Sequence, residues 1–378
     1  MTKAVIVGYG RSPFTPALKG QMAEVRPDEM AGQVIRTLVK KTGVQPDMIE
    51  DLILGCAFPE GEQGLNVARL VVFLAQLPIT VAGVTVNRFC GSSMQAIHMA
   101  ATNIMAGAGD VYIAAGVESM SRIPMSGFNP LPHPGLYDRY PQAYESMGIT
   151  AENLAKKYRI SRKAQEIFAV ASHERAANAQ AQGWLKDEIY PIEHEGRLIT
   201  EDGCIRKDTT LDGLSALPLA FSTTGTVTAG TSSPLTDGAS AVLVSSESYA
   251  RKHGMPMLAR IRSFAVSGCA PEIMGIGPVG ATRKALSRAG LSLEDMDIIE
   301  LNEAFSAQSL AVIKELGLDT KKINLDGGAI ALGHPLGASG ARITGKAASL
   351  LHRTKSRYAL ATMCIGGGQG IATVLEAI

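Results

Sequence analysis

The sequence has almost no excess of charge of either sign. Its 378 residues include 36 Lys and Arg against 35 Asp and Glu, for a net charge of +1. Proteins that bind nucleic acid or an anionic membrane through a basic surface carry a clear positive excess. The charge balance therefore argues against both kinds of partner. The length itself is typical of roughly two to three domains.

Cysteines and long apolar runs are scarce as well. The five cysteines have no paired spacing, which argues against a disulfide framework or a metal site and favours a reducing compartment. No run of about 18 apolar residues is present, so we expect no membrane span. A strand begins at Ala4, which leaves no room for a leader, and the last residues are not a peroxisomal address. We expect a cytoplasmic protein.

The G-x-G-x-x-G frame of a dinucleotide site is also missing. Neither glycine-rich segment, 327–340 or 366–370, opens a helix with that spacing and an acidic residue beyond it. We therefore expect no permanently bound cofactor.

What the sequence does contain is an internal repeat. A shift of 247 positions superposes Leu54 on Leu301 and the strand-like Val111–Ala114 on Tyr358–Ala361. Self-similarity at a fixed offset indicates a duplicated unit. Within the unit, helical and apolar strand-like segments alternate, which predicts a mainly parallel α/β sheet with helices on its faces; the helices are expected at 27–41 and 91–106 and the strands at 51–54, 84–86 and 111–115.

We predict three regions: an N-terminal half at 1–120, an inserted loop domain at 121–250 and a C-terminal half at 251–378. The composition changes after residue 120, where four prolines crowd one loop, and a later loop at 203–236 is rich in Thr, Ser and Gly. One amphipathic helix is expected at 161–182. An insertion of this length is usually functional, as a lid or a ligand-binding region.

Cys90 is the first candidate catalytic residue. It lies at a strand-to-helix junction in the segment Asn-Arg-Phe-Cys-Gly-Ser-Ser, residues 87–93. The positive end of a helix dipole and its free N–H groups favour the thiolate, which is the nucleophilic form of cysteine. The alternative is a small buried apolar residue, the role of most free cysteines.

His334 is the candidate base. It lies in the glycine-rich segment 327–340, which indicates an irregular loop with closely approaching backbone. Under the shift of 247 positions, Cys90 corresponds to Gly337, three residues beyond His334. The two segments therefore occupy equivalent corners of the repeat and could meet across a pseudo-twofold axis. A purely structural histidine is the alternative.

Cys364 and Asn302 complete the set of candidate residues. Cys364 follows a predicted strand and precedes three glycines, whose N–H groups could bind a developing oxyanion. Asn302 ends another strand in the segment Asn-Glu-Ala-Phe, and its amide could hold a water or an oxyanion. Taken alone, a turn explains either residue as well.

Together these segments resemble the thiolase family, and the degradative 3-ketoacyl-CoA thiolases in particular. The resemblance covers the whole chain and rests on segment 87–97, on 225–233 in the insertion, and on the Asn-Glu-Ala-Phe, Gly-His-Pro and Cys-x-Gly-Gly-Gly motifs. It implies an α/β fold of two similar halves in a layered helix–sheet sandwich with an inserted loop domain. It also implies an acyltransferase that cleaves 3-ketoacyl-CoA with CoA in fatty acid β-oxidation, giving acetyl-CoA and a shortened acyl-CoA.

By matching position, the resemblance implies a role for each residue. Cys90 is expected to accept the acyl group, His334 to activate it and Cys364 to handle the α-proton. Asn302 is expected to position a water beside His334 in one oxyanion hole. The backbone N–H groups of Cys90 and Gly366 are expected to form the other hole. A thioester is a suitable acyl carrier, and the departing enolate needs both a proton donor and charge stabilisation.

The resemblance also implies substrate contacts along the insertion, where Arg206, Phe221, Ala229 and Ser233 match positions near CoA and Met147 and Met274 match positions near the acyl end. Two departures from the family pattern stand out. Ser146 replaces the histidine of many biosynthetic members, which weakens an acetoacetyl-specific interpretation. Segment 217–221 lacks the usual arginine, which leaves the local CoA contacts in doubt.

Three other functions remain open. An acetoacetyl-CoA thiolase (acetyl-CoA C-acetyltransferase) that works in the condensation direction differs only in chain-length preference. A ketoacyl-carrier-protein synthase shares the fold, but it usually pairs its cysteine with two histidines or with histidine and asparagine. A lipid- or CoA-binding carrier would keep the fold without turnover.

The resemblance further implies a homodimer or homotetramer and, as in some degradative relatives, assembly with a hydratase–dehydrogenase partner. If Cys90 and Cys364 approach one substrate carbon, they also approach each other. Oxidation could then join them and switch the enzyme off.

Overall fold

The computed structural model describes residues 2–378. Its strands are β1 (Ala4–Arg11), β2 (Thr15–Pro16), β3 (Asp51–Gly55), β4 (Ala82–Val86), β5 (Val111–Ser119), β6 (Ile192–His194), β7 (Arg197–Ile199), β8 (Thr236–Ser246), β9 (Ala259–Gly268), β10 (Ile298–Leu301), β11 (Tyr358–Ile365) and β12 (Gln369–Glu376). Its helices are α1 (Pro27–Thr42), α2 (Val67–Leu74), α3 (Ser92–Ala106), α4 (Pro134–Arg139), α5 (Met147–Tyr158), α6 (Arg162–Ala181), α7 (Leu211–Ser215), α8 (Glu247–Lys252), α9 (Gly277–Ala289), α10 (Ser306–Leu316), α11 (Ala329–Leu332) and α12 (Leu336–Thr354).

The two halves of the chain share one order of four strands, to which the first half adds a fifth, β4, at its edge. It runs β1-β8-β5-β3-β4 in the first half and β9-β12-β11-β10 in the second. β1 and β9 pair antiparallel, and this contact joins the two half-sheets into one ten-stranded sheet that also includes β2. The duplication expected from the sequence is therefore confirmed in the topology.

The sheet is mixed, so the prediction of a mainly parallel sheet was wrong. β3 pairs parallel with β4 and β5, and β10 pairs parallel with β11. The pairs of β8 with β1 and β5, and of β12 with β9 and β11, are antiparallel. A strand–helix alternation did not reveal the tight turn between β11 and β12, where Gly367 and Gly368 have φ of +77° and +84°.

The inserted segment ends earlier than the predicted boundary at residue 250. β8 is buried along its whole length and pairs with β1 and β5 inside the first half-sheet. The sequence could not show this return, because a fully buried strand has no alternation of polar and apolar residues to mark it. Residues 236–246 therefore belong to the first half-sheet.

The helices form layers around the half-sheets. α1 and α2 pack on the outer face of the first half-sheet, and α9 packs on the outer face of the second. α3 and α12 pack against each other and against strands of both half-sheets. This central layer brings the starts of α3 and α12 together. No helix in residues 2–378 has the length and hydropathy required to cross a membrane.

Candidate active site

Cys90 lies in a tight turn just before α3. Phe89 has a φ of +41°, a left-handed conformation that residues other than glycine rarely adopt. Two hydrogen bonds hold the turn: the Phe89 N–H donates to Asn87 Oδ1 (2.8 Å) and Ser92 Oγ donates to the Phe89 carbonyl (2.6 Å). The surrounding contacts thus maintain a strained backbone next to the candidate nucleophile and fix the direction of its side chain.

The imidazole of His334 is held by its Nδ1 atom. Ser339 Oγ lies 2.6 Å from Nδ1 and donates its own proton to the Pro335 carbonyl (2.9 Å). A hydroxyl has a single proton to donate, so Nδ1 carries the hydrogen and donates to Ser339. The Nε2 atom therefore carries no hydrogen and has a lone pair that can accept a proton, the form that a general base requires.

Asn302 lies directly after β10, with its side-chain nitrogen 3.3 Å from His334 Nε2. Asn324 fixes the strand end, because its side chain accepts from the Leu301 N–H (2.9 Å) and donates to the Leu301 carbonyl (2.8 Å). The Oδ1 atom of Asn302 is buried without a hydrogen-bond partner among the described residues. A buried amide oxygen of this kind is suited to accept from a substrate or a solvent molecule.

Cys364 lies inside β11, paired with Gly370 of β12, rather than after the strand as predicted. It is fully buried in an apolar cluster with Met147, Met274 and Phe305. The turn that follows approaches the same group, since a Cβ atom on Gly366 would lie 3.5 Å from Met147 Sδ. The Cys364 thiol is therefore surrounded by apolar side chains.

The two halves meet at Gly116 of β5. A Cβ atom there would lie 2.1 Å from the Gly337 carbonyl oxygen and 2.6 Å from Ser93 Cβ. Ser93 and Gly337 each lie three residues after a candidate catalytic residue, Cys90 and His334. The corners of the two repeats therefore come together, as the shift of 247 positions predicted.

The turn of Cys364 is also connected to the turn of Cys90. Arg88 donates through Nη1 to Gln369 Oε1 (2.8 Å), and an added Cβ on Gly91 would lie 2.6 Å from Ile365 Cδ1. The segment of Cys90 thus contacts the turn after Cys364 and, around Gly116, the start of α12 next to His334, and the side chains of all three residues are buried.

Burial keeps these groups neutral. It raises the pKa of the Cys90 thiol to about 11, against the opposing effect of the N–H groups of Gly366 and of Cys90 itself, which point at the sulfur. Burial, reinforced by the Arg342 charge, lowers the pKa of His334 to about 3. Burial and then the neighbouring Cys90 raise the pKa of Cys364 well above its ordinary value. At neutral pH the substrate-free protein therefore holds a thiol and an imidazole rather than an ion pair.

This electrostatic state predicts the pH dependence of thiol modification. Below its raised pKa, the thiolate fraction of Cys90 grows with pH, so we expect its alkylation rate in the substrate-free protein to rise roughly tenfold per pH unit between about pH 7 and pH 10. Mass spectrometry of the peptide containing Cys90 after iodoacetamide treatment measures this rate, with Cys90→Ala as the control for other thiols. A plateau below pH 9 would show an ion pair already formed.

The residues expected near CoA lie between a cleft at Arg206 and the apolar cluster around Cys364. Arg206 and Ala229 line a narrow cleft with His173, whose Nδ1 accepts from the Arg206 N–H (3.2 Å). Ser233 donates through N and Oγ to the Ala304 carbonyl (3.0 and 3.1 Å). Phe221 packs edge-on against Phe305, with ring centroids 5.8 Å apart. The expected contacts therefore extend from the cleft at Arg206 to the cluster around Cys364.

Sequence reasoning missed the residues that support His334. Ser339 lies within the glycine-rich segment 327–340 but is not among the predicted site residues. Thr236 Oγ1 accepts from the His334 N–H (3.0 Å), although it lies in another part of the chain. A serine five residues after the histidine was a usable signal, whereas nothing in the sequence connected Thr236 to the loop.

Comparison with known proteins agrees with this arrangement. The family model of the thiolase N-terminal domain matches residues 4–248, and that of the thiolase C-terminal domain matches residues 255–377. The chain belongs to the thiolase family. This thiolase is 48% identical to the 3-ketoacyl-CoA thiolase of Bacillus subtilis and 50% identical to that of Shewanella denitrificans, with all of both chains covered in each case.

Two solved structures share the fold of this thiolase. The acetyl-CoA acetyltransferase of Bacillus anthracis is 39% identical, with a TM-score of 0.92 over 100% of this chain and 99% of the other. The human mitochondrial 3-ketoacyl-CoA thiolase is 38% identical, with the same TM-score and the same coverage. The fold class expected from the sequence is confirmed.

Proposed function

We propose that this thiolase cleaves 3-ketoacyl-CoA with CoA to give acetyl-CoA and a shortened acyl-CoA. The observation that carries the proposal is that the buried side chains of Cys90, His334 and Cys364 lie on chain segments that contact one another. A thiol nucleophile, an imidazole with an unprotonated Nε2 and a second thiol in an apolar cluster are the groups that this reaction requires. The names of the Bacillus subtilis and Shewanella denitrificans relatives support the same activity.

The first half-reaction begins with transfer of the Cys90 proton to His334 Nε2. The thiolate attacks the 3-keto carbon, and the N–H groups of Cys90 and Gly366 stabilise the oxyanion of the tetrahedral intermediate. The C2–C3 bond then breaks and its electron pair forms the enolate of acetyl-CoA. Asn302 and His334 lie where a water could stabilise the enolate oxygen, and Cys364 donates the proton to C2.

The second half-reaction restores the enzyme. CoA gives its thiol proton to the Cys364 thiolate, and the CoA thiolate attacks the acyl-Cys90 thioester. When the tetrahedral intermediate collapses, the Cys90 sulfur leaves and takes back the proton held by His334. Each group returns to its starting protonation state, which agrees with a resting site that is neutral.

The apolar cluster around Cys364 supports an acyl substrate longer than four carbons. Met147 and Met274 belong to this cluster, and methionine adapts its shape to varied apolar ligands. A role in fatty acid β-oxidation fits apolar surroundings of this kind. The alternative is an acetoacetyl-CoA thiolase working in the condensation direction, which the structural likeness to the Bacillus anthracis acetyl-CoA acetyltransferase supports.

A chain-length series distinguishes these two functions. We expect CoA-dependent release of acetyl-CoA from 3-ketoacyl-CoAs, with kcat/KM that rises beyond the four-carbon substrate because the apolar side chains around Cys364 favour the longer chain. The assay follows loss of the 3-ketoacyl-CoA absorbance, with Cys90→Ala as the blank. Activity confined to acetoacetyl-CoA would assign the protein to the acetyltransferases. An absence of turnover with intact acyl-CoA binding would identify a carrier.

The binding and assembly expectations belong to the same proposal. CoA is expected to enter as a substrate past Arg206, Ala229, Ser233 and Phe221, and no permanently bound cofactor is required by the steps above.

We infer a homodimer or homotetramer, since the exposed edge of β4 and the outward-facing Leu70 and Phe73 of α2 offer an apolar surface. Cytoplasmic location, a hydratase–dehydrogenase partner and a Cys90–Cys364 disulfide remain predictions.

A further inference from the structure

Glu118, the penultimate residue of β5, is a buried carboxylate that has no role in the reaction steps proposed above. It is 1% exposed. Its Oε2 atom accepts from the N–H groups of Ala57 (2.8 Å) and Gly337 (2.9 Å). Its Oε1 atom accepts from the Phe58 N–H (3.2 Å) and from Gln63 Nε2 (2.9 Å). No cation among residues 2–378 bonds to it, so backbone and amide N–H groups compensate this carboxylate.

These bonds connect Glu118 to both catalytic turns. Gly337 lies in the first turn of α12, three residues after His334. The Ala57 carbonyl accepts from Asn87 Nδ2 (2.9 Å), and Asn87 Oδ1 in turn accepts from the Phe89 N–H (2.8 Å), next to Cys90. One carboxylate therefore supports the base of the second half and the nucleophile of the first.

A neutral side chain of the same shape does not replace this carboxylate. Each carboxylate oxygen receives two N–H donors, whereas glutamine offers one acceptor oxygen and one NH2 group. The NH2 group would face either the Ala57 and Gly337 pair or the Phe58 and Gln63 pair. A buried donor set against other donors destabilises the local backbone, and the turns next to it shift.

We propose that Glu118 is a positioning residue that sets the spacing between Cys90 and His334 across the two halves. The inference rests on the proposed function for its kinetic readout alone. Since Glu118 touches no reacting atom, its loss should affect proton transfer from Cys90 to His334 rather than substrate binding. Displacements on the order of 1 Å at such a pair reduce rates by about 10²-fold.

Glu118→Gln is the central variant. We expect kcat to fall by about 10- to 100-fold with KM within threefold of the parent, because the substrate contacts are unchanged. We also expect faster hydrogen exchange at the amides of Ala57 and Gly337, measured by mass spectrometry.

Thiol reactivity gives a signature that a merely structural role would not produce. Burial is the main cause of the raised pKa of the Cys90 thiol, and the Glu118 charge adds to it. Cys364 and, in the proposed steps, His334 are the other titratable groups beside this thiol. Loss of the charge should leave iodoacetamide modification of Cys90 at a fixed pH unchanged or faster, while turnover falls. A general loosening of the fold would instead expose every buried cysteine to the reagent together.

Two matched variants complete the test. Glu188→Gln removes another buried carboxylate, which accepts from Arg11 (2.9 Å) and Lys346 (2.8 Å), and should lower thermal stability while kcat stays within threefold. The double exchange Glu118→Gln with Gln63→Glu restores an acceptor opposite the NH2 group of the introduced glutamine and keeps a partner for the Ser119 N–H, which donates to Gln63 Oε1 (2.6 Å). It removes the donor that Gln63 Nε2 supplies to the Phe58 carbonyl (2.9 Å), so the restoration is partial. We expect this exchange to recover at least threefold of the lost kcat.

The outcomes separate the two proposals. Turnover of Glu118→Gln within threefold of the parent, or unchanged exchange at Ala57 and Gly337, would overturn the positioning role. If Glu118→Gln does not fold, a folded double exchange whose kcat stays more than tenfold below the parent while exchange at Ala57 and Gly337 is parental would overturn it instead. If the parent protein turns over no 3-ketoacyl-CoA, the proposed function fails, while hydrogen exchange and alkylation still decide the role of Glu118.

Discussion

Replacing Cys90 by serine should lower the rate of 3-ketoacyl-CoA cleavage by on the order of 10⁴-fold or more. The serine hydroxyl keeps the size of the side chain, but its pKa is too high for His334, whose own pKa is lowered to about 3, to deprotonate it efficiently. The strained turn at Phe89 and the contacts of Ser92 do not depend on the sulfur atom. The variant should therefore keep the parent's thermal stability and bind acyl-CoA.

Cys364→Ser is the matched control, since it removes the second thiol and leaves the first. In this variant Cys90 should still be acylated by a 3-ketoacyl-CoA or an acyl-CoA, as detected by mass spectrometry of the intact protein, although turnover is slow. Cys90→Ser should show no thioester under the same conditions. An acyl group found on Cys364 of the Cys90→Ser variant, with none on Cys90 of the Cys364→Ser variant, would reverse the assignment of the two thiols.

Replacing Gly116 by alanine should destabilise the protein by at least about 3 kcal/mol, at the upper end of the cost of overpacking a core. The added methyl group would lie 2.1 Å from the Gly337 carbonyl oxygen, which is backbone at the start of α12 and cannot rotate away. Ser93 closes the other side, with its Cβ 2.6 Å away. Both catalytic turns would have to separate, so we expect loss of activity together with loss of stability.

Gly268→Ala provides the matched control, because the nearest atom to an added methyl group there is the Gly368 carbonyl oxygen at 3.9 Å. Urea denaturation followed by far-UV circular dichroism compares the free energies of unfolding of the two variants and the parent. A Gly116→Ala protein with parental stability and parental kcat would show that the two halves do not meet at this glycine.

Local signals predicted much of the fold. α1 lies at Pro27–Thr42, one residue longer than predicted, and ends before Gly43 with a φ of +67°. The helix expected at 161–182 is α6, and the side chain of Ser161 accepts from the Ala164 N–H at its start. Apolar periodicity and end signals lie within a few neighbouring residues, which is why the sequence alone reveals them. Strand direction is different, because it depends on where a long connection returns.

The residues of the candidate site also divide into those that local sequence signals reveal and those that they do not. Cys90, His334, Cys364 and Asn302 stand out in the sequence because each lies in a motif of small or polar residues. Ser339 lies only five residues after His334, whereas Thr236 and Glu118 approach the site from other strands of the sheet. Their partners are known only when the chain is folded, and Phe89 adopts its positive φ with no glycine to announce it.

The shared strand order of the two halves has a consequence for how the site is divided. The shift of 247 positions that relates Cys90 to Gly337 also relates Cys364 to Val117. Each half thus contributes one thiol, but at two different corners, and only the second half contributes the imidazole. The two repeated units therefore have different chemical roles within a single polypeptide. Neither half contains a complete set of proton donors and acceptors, so neither half can change its catalytic groups independently of the other.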